Sequence, residues 1–558
     1  MAEIRITAGS GDASSVFEAA QAEARALPGD DTIVVEGGTY ELARSLQLNS
    51  QDSGTTWTTD GEVILDGGGA RISLVTITEA ENVTLSGFTL VNTSGNGISD
   101  DFDSAPGSIQ VTDSKGVTLD ANTFREVAVG VRADGDTNHL TVSGSSFTDT
   151  QAGAVFINEG THENTVTGNT ILRSGAVYTE GAAIDLFESW GNTVSHNSIK
   201  DIPRHGIEEQ NWNPSNKSGG NVIEYNRITN YMGRTEDGAA IYMFGGDDPF
   251  TPIDSTIRYN RVEGTADPFS WGIYMDDLIN GAEIVGNWVE GGGIANLMIH
   301  GGDRNEVADN VLIGGGQWGI TVQTGLVDPN PIRFDNFHNN IVAPGPTGIW
   351  GASDASGLQF HDNFYVGTEG LWGWDFEPFA VWQASGGDRG TVVLDELPPD
   401  GTLPPDYIDN LPQLGGIPPN FYPDWNPVED GTDPPDPPDP PDPPDPPDPP
   451  DVVTPDTLVL QMSGDYVNTA PHFIVSVDGD EVGAGDVTAR RVGEDNETFT
   501  FEGDWGEGVH QVAIAFTNDT PVNSLWLEDL YFNDERAGPV ADVNIGTRPG
   551  DVFNIAVG

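Results

Sequence analysis

The chain has 558 residues, enough for more than one domain, and 88 acidic side chains against 22 basic ones leave a net charge of −66. That field excludes nucleic-acid backbones and anionic membrane surfaces as partners, and no apolar run reaches membrane-spanning length. With 71 glycines and no cysteine there is neither a disulfide frame nor a zinc–thiolate site.

In chain order, the start MAEIRITAGSGDASS lacks a basic end followed by an apolar stretch, so no signal peptide is visible. Heavy acidity with Lys115, Lys200 and Lys217 as the only lysines suits a protein kept soluble in salty water, and a secreted monomer is the expectation. Residues 12–27 predict a helix with Ser14 or Ser15 as cap and Val16, Phe17, Ala20, Ala24 and Leu27 on one face; it would cover the open end of the core that follows. Strand signals come at 32–36 and 62–66, and VTLSGFTL (83–90) opens a regular series. From there Asn122, Asn169, Asn197, Asn226, Asn260, Asn287, Asn310, Asn340 and Asn363 recur in the frame apolar-x-x-Asn-x-apolar, with Ser145 filling the first gap. The steps are 23, 24, 28, 29, 34, 27, 23, 30 and 23 residues. Such a period, with alternating apolar residues, predicts an all-β, right-handed parallel β-helix. Its coils stack about 4.8 Å apart, its Asn amides form a corner ladder, and the corner Asn itself suits a left-handed turn.

The β-helix is expected over residues 1–392, with an irregular tail packed on it over 393–432. Asp433 to Pro450 is six Asp-Pro-Pro triplets within a linker over 433–454, a stiff polyproline spacer on the order of 55 Å. Residues 455–558 alternate in short segments such as FIVSVDG (473–479) and HQVAIAFT (510–517), the pattern of a β-sandwich.

A second strand recurs before most Asn corners: AVFIN (154–158), AIDLF (183–187), GIEEQ (206–210), AIYMF (240–244), GIYMD (272–276), NLMIH (296–300) and GITVQ (319–323). Its second and fourth positions are almost always apolar and point inward, so the first, third and fifth are expected to face out. The third column then reads Phe156, Asp185, Glu208, Tyr242, Tyr274, Met298 and Thr321. The fifth reads Asn158, Phe187, Gln210, Phe244, Asp276, His300 and Gln323. Carboxylates, amides, imidazole and rings on one face describe a sugar-binding groove, and the inserted loops 211–220 and 244–254 lie beside it. The substrate-binding candidates are Asp185, Gln210, Tyr242, Phe244, Trp271, Tyr274, His205, His300 and Gln323. Glu208 is a candidate acid two coils from Asp276. No Asp/His/Glu trio has metal spacing in the sequence, so no catalytic cofactor is expected.

Through GDDTIVVEGGTYELARSLQLNSQDSGTTW (29–57), EDGAAIYMFG (236–245), SWGIYMDD (270–277) and MIHGGDRNEVADN (298–310), residues 29–385 resemble glycoside hydrolase family 141. That family includes a xylanase and an α-L-fucosidase. The resemblance implies that Asp237 and Asp276 are the acid and the nucleophile or base, with Asp277 the competitor for Asp276. Alternation favours Asp276, since Asp277 begins the turn. Residues 456–532 resemble the calcium-dependent xylan-binding modules, through DTLVLQMSGDYVNTAPHFIVSVDG (456–479), GDWGEGVHQVAIAFTND (503–519) and LYF (530–532). The resemblance implies calcium ligands among Asn518, Asp519, Glu528 and Asp529, although WLED (526–529) stands where that family has TDRN. A polysaccharide partner, xylan first, is the expectation; the rivals are a polysaccharide lyase or uronan epimerase on the same fold, and a non-catalytic adhesin.

Overall fold

The computed structural model describes residues 3–366 apart from stretches of which 95–104, 246–252, 324–334 and 344–357 are the longest, together with 392–394, a few single residues before it, and most of 456–557. The tail and linker expected over 393–454 lie almost wholly outside these residues. The chain divides into two compact units, Met1–Thr432 and Asp433–Gly558.

The larger unit is a parallel β-solenoid of about eleven turns. Each regular coil contributes two three-residue strands that flank the Asn corner, such as Thr165–Thr167 and Thr170–Leu172. It also contributes one longer strand to a separate eleven-stranded sheet. That sheet begins at Leu46–Leu48 and Val75–Thr78, so coiling starts before the predicted 83–90. It ends with Ile184–Phe187, Ile207–Gln210, Gly238–Phe244, Ser270–Asp276, Ala295–His300 and Trp318–Gln323, stacked in that order. Ile, Val, Leu and Phe from the strands fill one continuous core, and rings stack on rings in successive coils, as Phe124 on Phe147 at 4.5 Å.

The Asn ladder forms as the spacing predicts. From Asn197 onward each amide oxygen accepts from the backbone N–H of the Asn one coil earlier, as Asn226 Oδ1 does from Asn197 N at 3.0 Å; Ser145 bridges Asn122 to Asn169, and Asn122 Oδ1 accepts from Phe88 N. The left-handed residue, however, is the one before the Asn: Ala121, His196, Tyr225, Tyr259, Asp309, Asn339 and Asp362 have positive φ, and the Asn residues of the ladder do not. The Asn spends its side chain on the coils before and after it, so its neighbour makes the turn. A second ladder, unread in the sequence, runs five residues ahead through Asn164, Asn192, Asn221, Ser255, Asn305 and Asp335. Asp335 is wholly buried there, and burial pushes its carboxyl well above the usual range.

The helix runs Ser14–Arg25 with Ala13, not Ser14 or Ser15, at its N-cap and no side-chain cap hydrogen bond there, while the Asp12 carboxylate just ahead accepts from Ser14 N at 3.0 Å. Phe17 packs edge-on against Tyr40 and stacks on Trp57. Phe17, Ala20 and Ala24 are buried as expected, whereas Val16 and Leu27 stay exposed.

The smaller unit has two antiparallel sheets, one around Asp456–Asp465 and Ser524–Phe532, the other around His472–Val477 and His510–Phe516. Leu458 and Leu460 of the first share one core with Phe473, Val475 and Ile514 of the second.

The ladder's contribution is measurable. Asn226 Oδ1 also accepts from Asn197 Nδ2, and Asn226 Nδ2 donates to Val194 O at 2.8 Å and Asn260 Oδ1 at 3.0 Å, all buried. Asn226→Ala strands several of these groups at roughly 1–3 kcal/mol each, so about 3–5 kcal/mol should be lost in urea unfolding of the solenoid. A loss below about 1 kcal/mol would mean that water replaces the amide at this corner.

Candidate active site

The long strands place side chains differently from strict alternation at their start. A Cβ on Gly130, Gly206 or Gly272 would meet the core rings or branches of Phe147, Ile228 or Val289, and Ala154, Ala183 and Ala240 belong to the solenoid core. The first position thus points inward beside the second. The chain bends into the strand there and only small residues fit, so the expectation that it faces out is corrected. The residue before it turns outward instead: His205, Ala239, Trp271, Ala295 and Trp318 share this column.

The third position does point away from the core, but it is not a solvated ladder. Asp185, Glu208, Tyr274, Met298 and Thr321 are all buried. Ala239, Trp271, Tyr274, Ala295 and Met298 form a second apolar cluster outside the sheet, with Tyr242 and Trp318 at its edge. The expected bare aromatic patch is therefore largely covered by its own members, and Trp271 packs rather than lining open surface. The fifth column, with Gln210, Phe244, Asp276 and Gln323 part-exposed, is the main accessible row among the described residues, and Tyr242 is part-exposed beside it.

Asp276 is the last residue of its strand and the register partner of Phe244 and His300. Its Oδ2 accepts from the Tyr242 hydroxyl at 2.6 Å. Its Oδ1 accepts from His300 Nδ1 at 2.6 Å and from Asp277 N at 3.0 Å. Tyr274 Oη lies 3.3 Å from the same imidazole nitrogen. Burial and the Asp276 charge raise the Tyr242 and Tyr274 phenols, so both stay protonated. Burial works against charge on His300, but the hydrogen bond to Asp276 and the charges of Asp276, Asp277 and Asp237 outweigh it and raise the imidazole.

Behind Tyr242 lies His205, wholly buried, its ring parallel to the phenol at 4.4 Å. Arg204 Nε can only donate, and it does so to His205 Nε2 at 2.9 Å. The imidazole proton therefore sits on Nδ1 and is donated to Ala239 O at 3.1 Å. Burial, then the Arg204 charge, hold His205 neutral. His205 thus packs and positions Tyr242 rather than meeting substrate. Glu208 Oε1 is 3.8 Å from His205 Nε2, behind the phenol rather than in the open row.

Asp237 has positive φ and stands exposed just before Gly238, its N–H donating to Phe269 O at 2.9 Å. Partial desolvation and the charge of Asp276 raise its carboxyl. The two acids named in the sequence therefore sense each other across the face. Asp277 begins the turn, as alternation required, with φ of 27° and its carboxylate turned toward His300 at 3.8 Å. Ligand atoms of Asp276, Asp277 and His300 lie within 4.8 Å of one another. This trio corrects the expectation that none has metal spacing, since His300 comes from the next coil. Asp185 is the register partner of Glu208, three strands from Asp276, and Gln323 is the partner of His300.

Two residues escaped the sequence reading. Trp212, in the inserted loop, is 54% exposed and lies against Phe244 at 4.3 Å; the insertion itself was the signal. Glu209 occupies a fourth, inward position, accepting from Ser255 Oγ at 3.0 Å and Asn211 Nδ2 at 3.3 Å. Burial raises its carboxyl to about 7, against partial relief from Asn211 and Ser255. Because the folded value lies above the unfolded one, stability is fully present below the unfolded pKa of 4.5 and is lost as pH rises through about 7. Glu209→Gln should therefore melt higher than the wild type at about pH 8 and lose that advantage toward about pH 4. A constant difference across this range in thermal scans would show that the carboxyl does not titrate in the fold.

In the small unit, Asn518 and Asp519 lie outside the described residues, and Glu528 and Asp529 fall on the strand Ser524–Phe532.

Residues 56–216 and 107–266 match the family model described as right handed beta helix region, and 457–524 match the Ca-dependent carbohydrate-binding module, xylan-binding. No curated protein matches the chain. Among solved structures, PfbA, a surface adhesin of Streptococcus pneumoniae, is 14% identical over 63% of this chain and 89% of its own, with a TM-score of 0.45. The catalytic domain of a GH87 α-1,3-glucanase is 13% identical over 64% and 67%, at 0.43. The A-module of the mannuronan C-5 epimerase AlgE6 from Azotobacter vinelandii is 15% identical over 70% and 97%, at 0.38. The chain thus joins a right-handed β-helix to a segment like a carbohydrate-binding module.

Proposed function

We propose that this chain is a secreted glycoside hydrolase acting on xylan or a related hemicellulose, with Asp276 as nucleophile or base and Asp237 as acid. The observation that carries the reading is the pairing of two differently held carboxyls on one face. Both oxygens of Asp276 are engaged as acceptors by Tyr242, His300 and the Asp277 amide. Asp237 is pushed upward by desolvation and by Asp276, as a proton donor requires. Tyr242 and His300 orient the base, His205 locks Tyr242, and Asp277 supplies an amide rather than the reacting carboxylate.

Asp276→Asn and Asp237→Asn should each lower turnover by roughly 10²–10⁴-fold without loss of fold. Glu208→Gln should cost less, because Glu208 is buried behind Tyr242, and Asp277→Asn less still, because its backbone N–H remains. Reducing-sugar release from a polysaccharide panel is the readout. Full activity in Asp276→Asn would sink the assignment.

The second reading, a uronan lyase or epimerase, is favoured by Tyr274 and His300 standing together beside Asp276, since a phenol and an imidazole can move a proton next to a carboxylate-bearing carbon. The cations such chemistry needs are mostly committed elsewhere. Lys217 lies over Trp190, Arg234 donates to Ala176 O, Lys200 is exposed on the other sheet, and Arg204 is held by His205. An unsaturated product absorbing in the ultraviolet would select this reading over hydrolysis.

For the smaller unit we propose a β-sandwich that binds hemicellulose, supported by the family match over 457–524. A stiff tether between catalyst and sugar binder raises effective concentration at a polymer surface. Affinity electrophoresis should show retardation in xylan gels, and loss of retardation with chelator would place calcium in the site, with Asp519 among its oxygen ligands. No retardation in any hemicellulose would remove the binding role.

A further inference from the structure

We propose that Trp212 is a stacking platform for one ring of a neutral polysaccharide, forming a subsite next to Asp276; the inference rests on the carbohydrate reading above. Trp212 is 54% exposed, yet it is held from several sides. Its Nε1–H donates to Gln210 Oε1 at 2.6 Å, and its ring leans on Phe244 at 4.3 Å with a 38° tilt. Gln210 is the register partner of Phe244, and Phe244 that of Asp276. The platform is thus continuous, coil by coil, with the row that carries the candidate base.

The loop bearing it is pinned. Asn211 N donates to Phe244 O at 3.0 Å, Asn213 N to Glu188 Oε1 at 2.9 Å, and Asn216 Nδ2 to Glu159 Oε1 at 2.8 Å and to Glu188. Lys217 closes the loop over the Trp190 ring at 4.6 Å. A large indole presented to water in one fixed orientation is preorganised for a flat ligand, because little side-chain freedom remains to be lost on binding. The neighbouring groups specify the ligand's chemistry. An apolar ring face flanked by the hydrogen-bonding groups of Gln210 and Asp276 suits a pyranose, whose C–H face is apolar and whose edge carries hydroxyls. Glu159 and Glu188, which hold the loop, outnumber its Lys217 and disfavour a polyanion, so the sugar is uncharged. Two rings are also far smaller than the anchor region of a protein interface.

Trp212→Ala and Trp212→Phe in the full chain, assayed on soluble xylan, test this. Trp212→Ala should raise KM about tenfold, the effect of losing one aromatic anchor, with kcat nearly kept, and Trp212→Phe should recover part of the loss. An unchanged KM, or a fall in kcat alone, would overturn the subsite while leaving the hydrolase reading intact. If Trp212→Ala melts early, Trp212→Phe is judged by the same KM criterion. If the wild type does not cleave xylan, the hydrolase reading on xylan fails separately. Affinity electrophoresis in xylan gels with chelator, which removes the calcium-dependent retardation proposed for the smaller unit, then decides the subsite: weaker retardation of Trp212→Ala than of the wild type supports it, and equal or no retardation overturns it.

Discussion

Every side-chain position in the larger unit depends on one repeated contact, the amide of a buried Asn bonded to the amide of the next. A coil of a solenoid ends its short strands at a corner, where backbone N–H and C=O groups turn into the core and have no ladder partner. The Asn side chain supplies both a donor and an acceptor at that point. It holds the neighbouring coil in register, as Asn197, Asn226 and Asn260 do in succession. The second ladder, through Asn192 and Asn221, repeats the device five residues earlier. Two fixed corners per coil leave insertions nowhere to go except outward, and the loop carrying Trp212 is one such insertion.

The eleven-stranded sheet then sorts its residues into layers. Small first positions and apolar second and fourth positions fill the solenoid. Third positions and the residues before the bend make a thin apolar layer of their own, with Trp271, Tyr274 and Met298 packed together. The fifth position carries most of the accessible side chains, among them Gln210, Phe244, Asp276 and Gln323. Asp276 gains its hydrogen bonds because the phenol comes from one neighbouring coil and the imidazole from the other, each a spacing of about 4.8 Å away. No single coil carries the site.

Charge follows the same geometry. Asp237, partly desolvated and then facing the charge of Asp276, is pushed toward its protonated form. His300, drawn the other way by three carboxylates, is favoured in its charged form despite burial. His205 shows the opposite case: buried and beside Arg204, it stays neutral and serves as a flat surface for Tyr242. Two histidines that look alike in sequence are thus shifted in opposite directions, His205 by its complete burial and then by Arg204, and His300 by the carboxylates that outweigh its burial.

Periodicity alone determined the solenoid, its Asn ladder, the strand that carries Asp276 and the turn that begins at Asp277. These follow from local alternation and from a repeat length that every coil must share. The tertiary structure decided what period-two reasoning cannot express. The bend at Gly272 and Ala240 turns two successive residues inward. The apolar layer over Tyr274 and Met298 closes a column that alternation leaves open. The left-handed residue shifts to the position before each Asn, and Asp276, Asp277 and His300 converge although 24 residues separate the first from the last. Alternation tells on which side of a strand a residue lies. Only the stacking of coils tells what lies over it, because exposure and hydrogen bonding are properties of neighbours distant in the chain.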